Sequence, residues 1–289
     1  MDHHAFALCG KRIFLYHFME ELFMKHTLTI AGSDCSGGAG IQADLKTFSA
    51  HGCYGMSVIV SVVAENTSRV ISIQNIEPQI IRDQIDAVFE DIPVHAVKVG
   101  MLSEAACMAA TAESLEKWKP IWTVIDPVMI AKGGQALMEP ASLEFYQSRI
   151  VPLADVLTPN IPEAECLTGL SIHNMDDMKI AAHKLHDIGA KNVLIKGGHA
   201  QGDATDLLFD GEEFHIFEQE RIPTKNTHGT GCTFSSAIAA NLANELPLLD
   251  AVKAAKRYIT EAIRHALPIG HGHGPTHHFY AFDISSKNR

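Results

Sequence analysis

From Thr27 onward, short β-branched and apolar runs alternate with longer stretches of helical periodicity, the pattern of βαβ units on a parallel sheet. Strands are expected at 27–31, 57–64, 96–99, 123–125, 156–158 and 193–195, and a helix over 41–50. Ile81, Ile85, Val88 and Phe89 recur at helical spacing after Pro78. Met178, Ala181, Ala182, Leu185 and Ile188 do the same before Gly189, a helix stop, and the stripe of Met175, Met178 and Ile180 reads as core. Leu207 to Phe209 and Phe214 to Phe217 flank Asp210-Gly211, a hairpin signal, and two helices close the chain. No linker, charge block or internal repeat interrupts this order, so one domain is expected over 24–289. Residues 1–23 lack the apolar core and cleavage site of a secretory signal, and read as a dispensable extension ahead of a sensible start at Met24.

Composition narrows the class. With 289 residues, 46% of them hydrophobic, the chain can bury a sizeable core. A formal net charge of −11 argues against a nucleic-acid binder driven by phosphate neutralisation. No apolar run approaches the roughly 20 residues that cross a bilayer, so no membrane partner is expected. The 6 cysteines form no CxxC pair and read as reduced thiols of a cytoplasmic protein.

In parallel sheets, ligands sit where loops leave the carboxyl ends of the strands, and the unusual residues of this chain cluster in such loops. The first loop, Gly32-Ser33-Asp34-Cys35-Ser36-Gly37-Gly38-Ala39-Gly40, lets backbone approach a ligand, yet it is neither GxGxxG nor GxxxxGK[ST]. A flexible strand-to-helix turn is the plainer reading. The second, Thr227-His228-Gly229-Thr230-Gly231-Cys232-Thr233, enters an apolar helix, where unpaired N–H groups and the helix dipole make an anion hole. Here the plainer reading is a glycine turn capped by Thr230 or Thr233. Asp126-Pro127, Asn160-Ile161-Pro162-Glu163 and Lys196-Gly197-Gly198 follow three further strands. Together they place carboxylates, an amide and a cation where a nucleotide and Mg²⁺ would meet them.

These residues carry a resemblance. From about Lys25 to Phe282 the chain resembles the hydroxymethylpyrimidine/phosphomethylpyrimidine kinases of thiamine biosynthesis, a branch of the ribokinase-like superfamily. LTIAGSDCSGGAGIQADLKTFSAHGCYG, VKVGML, IDPVM, LTPNIPEAE, NTHGTGCTFSSA and the tail GHGHGPTHHF match the family's segments in order. The resemblance implies an α/β three-layer sandwich with a central, mainly parallel sheet flanked by helices, ATP and Mg²⁺ as cofactors, and a homodimer. It implies that Gly229, Thr230, Gly231 and Cys232 hold the transferring phosphoryl, with Cys232 as base. Most ribokinase-like enzymes carry aspartate there. It further implies that Gly32, Ala39, Met101 and Val128 surround the pyrimidine, that Asp126 and Glu163 organise Mg²⁺, and that Asn160, Lys196 and Thr230 face ATP. A helix N-terminus is expected to lower the Cys232 thiol pKa.

Glu65 departs from the pattern, because the family commonly has glutamine there to read the pyrimidine. A glutamine amide both donates and accepts, whereas ionised glutamate only accepts. Glu65 must therefore bind as the acid, meet a protonated ring, or favour another substrate such as a vitamin B6 alcohol. The implied activity is phosphorylation of 4-amino-5-hydroxymethyl-2-methylpyrimidine and then of its monophosphate. A pyridoxine or pyridoxal kinase is the alternative, and a catalytically silent pyrimidine sensor stands further off. His271, His273, His277 and His278 lack a zinc-specific spacing, and their tail is expected to close over the nucleotide edge. His228 is a candidate phosphate contact.

Overall fold

Valine, isoleucine and leucine occupy both faces of the central strands, as a parallel sheet buried between two helical layers requires. The computed structural model describes residues 24–131, 134–198 and 204–282; the expected dispensable extension 1–23 lies outside them. The described strands are β1 (His26–Asp34), β2 (Tyr54–Glu65), β3 (Val70–Asn75), β4 (Ala96–Val99), β5 (Thr123–Ile125), β6 (Val156–Leu157), β7 (Asn192–Ile195), β8 (Asp206–Phe209) and β9 (Phe214–Phe217). They form one sheet in the order β3-β2-β1-β4-β5-β6-β7-β8-β9. The block from β2 to β7 is parallel, and β3, β8 and β9 join by antiparallel pairing. The strand order reverses between β1 and β4, and such a switch opens a crevice at the carboxyl ends.

Side-chain alternation sorts the helices. Val97, Val99, Ile125 and Leu157 turn toward α2 (Pro78–Asp91), α3 (Ala105–Trp118), α4 (Ile161–Thr168), α5 (Met175–Ile188) and an irregular helical segment at 140–153. Ala96, Val124, Val156 and Leu194 turn to the opposite layer, made of α1 (Gly40–Ala50), α6 (Thr230–Ala243) and α7 (Leu248–Arg264). The result is the expected three-layer α/β/α sandwich. The 207–217 hairpin forms as β8 and β9, with Phe209 opposite Phe214. Ile180 is 58% exposed, so only Met178 and, in part, Met175 of that stripe face the core.

Candidate active site

β1 runs past its expected end. After a register shift between Ala31 and Gly32, Gly32, Ser33 and Asp34 still pair with β2. The first glycine-rich loop is therefore shorter than the sequence suggested, and it is built around one carboxylate rather than being a loose turn. Asp34, 1% exposed, accepts the N–H groups of Ser36 (2.7 Å), Gly38 (3.0 Å) and Ala39 (2.7 Å). Its fourth donor is His228 Nε2 at 2.8 Å. Burial alone would raise the Asp34 carboxyl, but the His228 ring and the bonded N–H groups outweigh it and hold it well below the usual carboxylate range. A side chain at Gly32 would stand 3.4 Å from Met101 Sδ, so glycine keeps this wall close to Met101.

Three strand ends supply the charged groups. Lys196 Nζ, after β7, donates to Asp126 Oδ1, after β5, at 2.5 Å, and Thr158 Oγ1 donates to the same oxygen at 3.2 Å. Asn160, after β6, caps α4: its side chain accepts from Glu163 N–H while the Glu163 carboxylate accepts from Asn160 N–H, a reciprocal capping box. Burial pushes the Glu163 carboxyl up to about 7 against the pull of Lys196. Burial works to lower the Lys196 pKa, but Asp126 and Glu163 prevail and hold it above the ordinary lysine value.

The second loop delivers the N-terminus of α6. Gly229, at φ +76°, has no room for a side chain against the Gly38 carbonyl. Neither threonine caps the helix: the Thr230 hydroxyl donates to the Thr227 carbonyl at 2.8 Å, and Thr233 Oγ1 meets His278 Nε2 at 3.1 Å. The first intrahelical bond is Thr233 N–H to the Gly229 carbonyl. The N–H groups of Gly231 and Cys232 precede it, as the first turn of a helix leaves its N–H groups without intrahelical partners, and both residues line the cleft. A Cβ at Gly231 would stand 3.3 Å from Asp126 Oδ2 and 3.4 Å from Lys196 Nζ, so the N-terminus of α6 abuts the ion pair.

Cys232 corrects one expectation. Its thiol is buried, and burial pushes it up to about 11, with Lys98 pulling down and Asp44 and Asp126 pushing up. Desolvation therefore outweighs the helix dipole, and the residue rests as a thiol. The sequence reading also missed Lys98. On β4 the ammonium is fully buried and donates to both Asp44 oxygens at 2.9 Å. Asp44 also accepts from Thr29 Oγ1 and Ser236 Oγ, each at 2.6 Å. The available signal was a lysine inside the otherwise apolar run Val97-Lys98-Val99.

One cleft of about 980 Å³ brings together every residue named from the sequence: Gly32, Ala39, Glu65, Met101, Val128, Asp126, Asn160, Glu163, Lys196 and Gly229 to Cys232. That volume suits two small ligands side by side. Glu65 sits at the Asp34 end, where burial and then the Asp34 charge raise its carboxyl to about 7. Gly272 N–H donates to Thr67 Oγ1 and His273 N–H to the Thr67 carbonyl, while His228 N–H donates to Gly274. The tail thus ties Thr67, just past β2, to the α6 loop. The ring of His228 faces Asp34 through Nε2, and the residue lines the same cleft.

The donor set fits a magnesium nucleotide. Asp126 and Glu163 offer hard carboxylate oxygens beside Lys196 and an uncapped helix N-terminus, the combination that binds phosphate with Mg²⁺. Such a site along the carboxyl ends of the parallel strands is that of a phosphotransferase of the ribokinase-like class. Comparison with known proteins narrows it. The family model for phosphomethylpyrimidine kinase matches residues 34–277. The Geobacter sulfurreducens thiamine biosynthesis bifunctional protein ThiED is 53% identical over 255 residues, 88% of this chain and 52% of its own length. The Rhizobium meliloti hydroxymethylpyrimidine/phosphomethylpyrimidine kinase is 49% identical, covering 88% of this chain and 96% of its own. Among solved structures, an ADP complex of Bacillus subtilis pyridoxal kinase aligns with TM-score 0.83 and 41% identity, over 89% of this chain and 98% of that one. Clostridium difficile phosphomethylpyrimidine kinase aligns with TM-score 0.75 and 49% identity, over 83% and 99%. The chain belongs to the phosphomethylpyrimidine kinase family.

Proposed function

We infer that the protein uses ATP to phosphorylate the hydroxymethyl group of 4-amino-5-hydroxymethyl-2-methylpyrimidine and then the resulting monophosphate, giving the diphosphate for thiamine synthesis. The observation that carries this reading is the convergence, in one cleft, of the uncapped Gly229–Cys232 turn, the Asp126–Lys196 pair and the Glu65–Met101 end.

In this reading Lys196 and Asn160 hold the ATP phosphates, and the Gly231 and Cys232 N–H groups face the oxygens of the phosphoryl in transit. Asp126 and Glu163 hold Mg²⁺, directly or through water, and the ion when bound neutralises charge on the phosphates. The acceptor oxygen bonds to phosphorus as the bond to the ADP oxygen breaks, and the hydroxymethyl proton passes to the Cys232 sulfur in the minor fraction of molecules whose thiol has first lost its own proton to solvent. Because Cys232 rests as a thiol, alignment and charge stabilisation supply most of the acceleration. Gly32, Ala39, Met101 and Val128 enclose the ring. The five described cysteines are all free, which supports a reducing, cytoplasmic setting, and a homodimer is the expected assembly.

A pyridoxine or pyridoxal kinase is the second reading, favoured by Glu65, whose carboxylate would accept from a ring hydroxyl. A coupled ATP-turnover assay with Mg²⁺, offering hydroxymethylpyrimidine, its monophosphate and pyridoxine, tests both. Efficient turnover of both pyrimidines is expected. A wide preference for pyridoxine would replace the pyrimidine reading, and silence on all three would return the sensor reading.

A further inference from the structure

His228 takes no part in the steps above, yet it occupies the seam between the two halves of the cleft. Its ring, in a residue 8% exposed, donates from Nε2 to Asp34 Oδ2 at 2.8 Å, across 194 positions of chain. The same Asp34 oxygen accepts the N–H groups of Gly38 and Ala39, so the shape of the pyrimidine-side loop hangs on that carboxylate. The His228 backbone immediately precedes Gly229, the N-cap of α6, and is fixed from behind by its N–H bond to the Gly274 carbonyl. The loops also touch directly. A Cβ at Gly38 would collide with the His228 ring and stand 3.2 Å from Pro275 Cβ, and one at Gly229 would collide with the Gly38 carbonyl. Only glycine on both sides allows this approach.

We propose that His228 is a positioning residue that latches the pyrimidine-side loop to the anion-hole loop, so that nucleotide bound at one and pyrimidine bound at the other strengthen each other. The latch rests on the kinase reading above and adds a coupling between its two ligands. A nucleotide that orders the α6 N-terminus holds His228 in register with Asp34, and Asp34 in turn holds the Ser36, Gly38 and Ala39 N–H groups that shape the pyrimidine wall. Coupling is reciprocal, so pyrimidine tightens nucleotide to the same degree.

Calorimetric titration of hydroxymethylpyrimidine into the full chain, with and without saturating Mg²⁺ and the non-hydrolysable analogue AMP-PCP, tests this. In the unaltered protein the nucleotide is expected to lower the pyrimidine Kd at least about fivefold, the lower end of ordinary coupling. In His228→Ala the ratio falls to about one, and His228→Gln, whose amide can still donate to Asp34, restores part of it. A residue that merely stabilised the fold would lower Tm and leave the ratio unchanged. An equal ratio in the unaltered protein and His228→Ala, or a ratio of one in the unaltered protein, overturns the latch. Should His228→Ala fail to fold, His228→Phe, which fills the ring's volume but cannot donate to Asp34, takes its place with the same expected loss. Amide hydrogen exchange at residues 36–39 needs nucleotide alone: AMP-PCP is expected to slow it in the unaltered protein and not in the variant, and equal slowing in both overturns the latch. Failure of pyrimidine to bind the unaltered protein under either condition would overturn the substrate reading instead, and the exchange measurement would still decide the latch.

Discussion

At the scale of single residues, two groups with displaced titrations set the pH response. In the proposed reaction Cys232 would have to lose a proton held up to about 11, while Glu65, held up to about 7, would have to keep its own to donate to the ring. The required forms coexist in a small fraction of molecules that rises with pH to about 7 and is then level, because each further gain in thiolate is matched by loss of the acid. The kcat/KM for hydroxymethylpyrimidine is therefore expected to be flat between about pH 7 and 9. In Glu65→Gln it is expected to climb about tenfold per pH unit over that range, and a flat profile in both enzymes would remove Glu65 from ring recognition. The two transfers also differ in what they ask of Cys232. A hydroxymethyl group carries a proton to be removed, whereas the monophosphate, with a second pKa near 6, is already ionised at neutral pH. Cys232→Ala is expected to lower kcat for the first transfer about 10²-fold and that for the second far less, read by product analysis with each substrate. Equal losses would make the thiol a packing group.

At the scale of elements, the sheet was largely legible because its strands are apolar runs bounded by turn residues, and every residue named for the site came to line the cleft. What escaped has physical reasons. β3 (Val70–Asn75) is a short edge strand with Ile71 64% exposed, so no apolar run marks it. The segment 140–153 carries Pro140 and Pro152 and a π turn, which break helical periodicity. The Lys98–Asp44 pair joins β4 to α1, and Ser236 ties α6 to the same carboxylate. Spacing along a sequence does not reveal such three-element junctions. Lys98→Met strands a buried carboxylate and is expected to cost about 3–5 kcal/mol in denaturant unfolding. The double variant Lys98→Met/Asp44→Leu, which removes both charges, is expected to recover most of that loss. No recovery would mean that the pair contributes packing that hydrophobic residues cannot supply.

At the scale of the whole molecule, the tail binds the site from outside. It joins Thr67, the α6 loop and, through the Tyr258 hydroxyl bonded to the His278 carbonyl, α7. Ending the chain at Arg264 is expected to lower Tm by several degrees and kcat by more than tenfold, since the support behind His228 is lost; unchanged turnover would show that the tail is ornamental. The layer arrangement has a consequence for biosynthesis. β1 emerges first from the ribosome but lies inside the sheet, and the layer over Ala96, Val124, Val156 and Leu194 is closed mainly by α6 and α7, which begin only at Thr230. From the synthesis of Ala96 until α6 and α7 are made, the nascent chain therefore displays a growing apolar wall covered by α1 alone, the kind of surface that holdase chaperones bind and that drives aggregation when synthesis outruns completion.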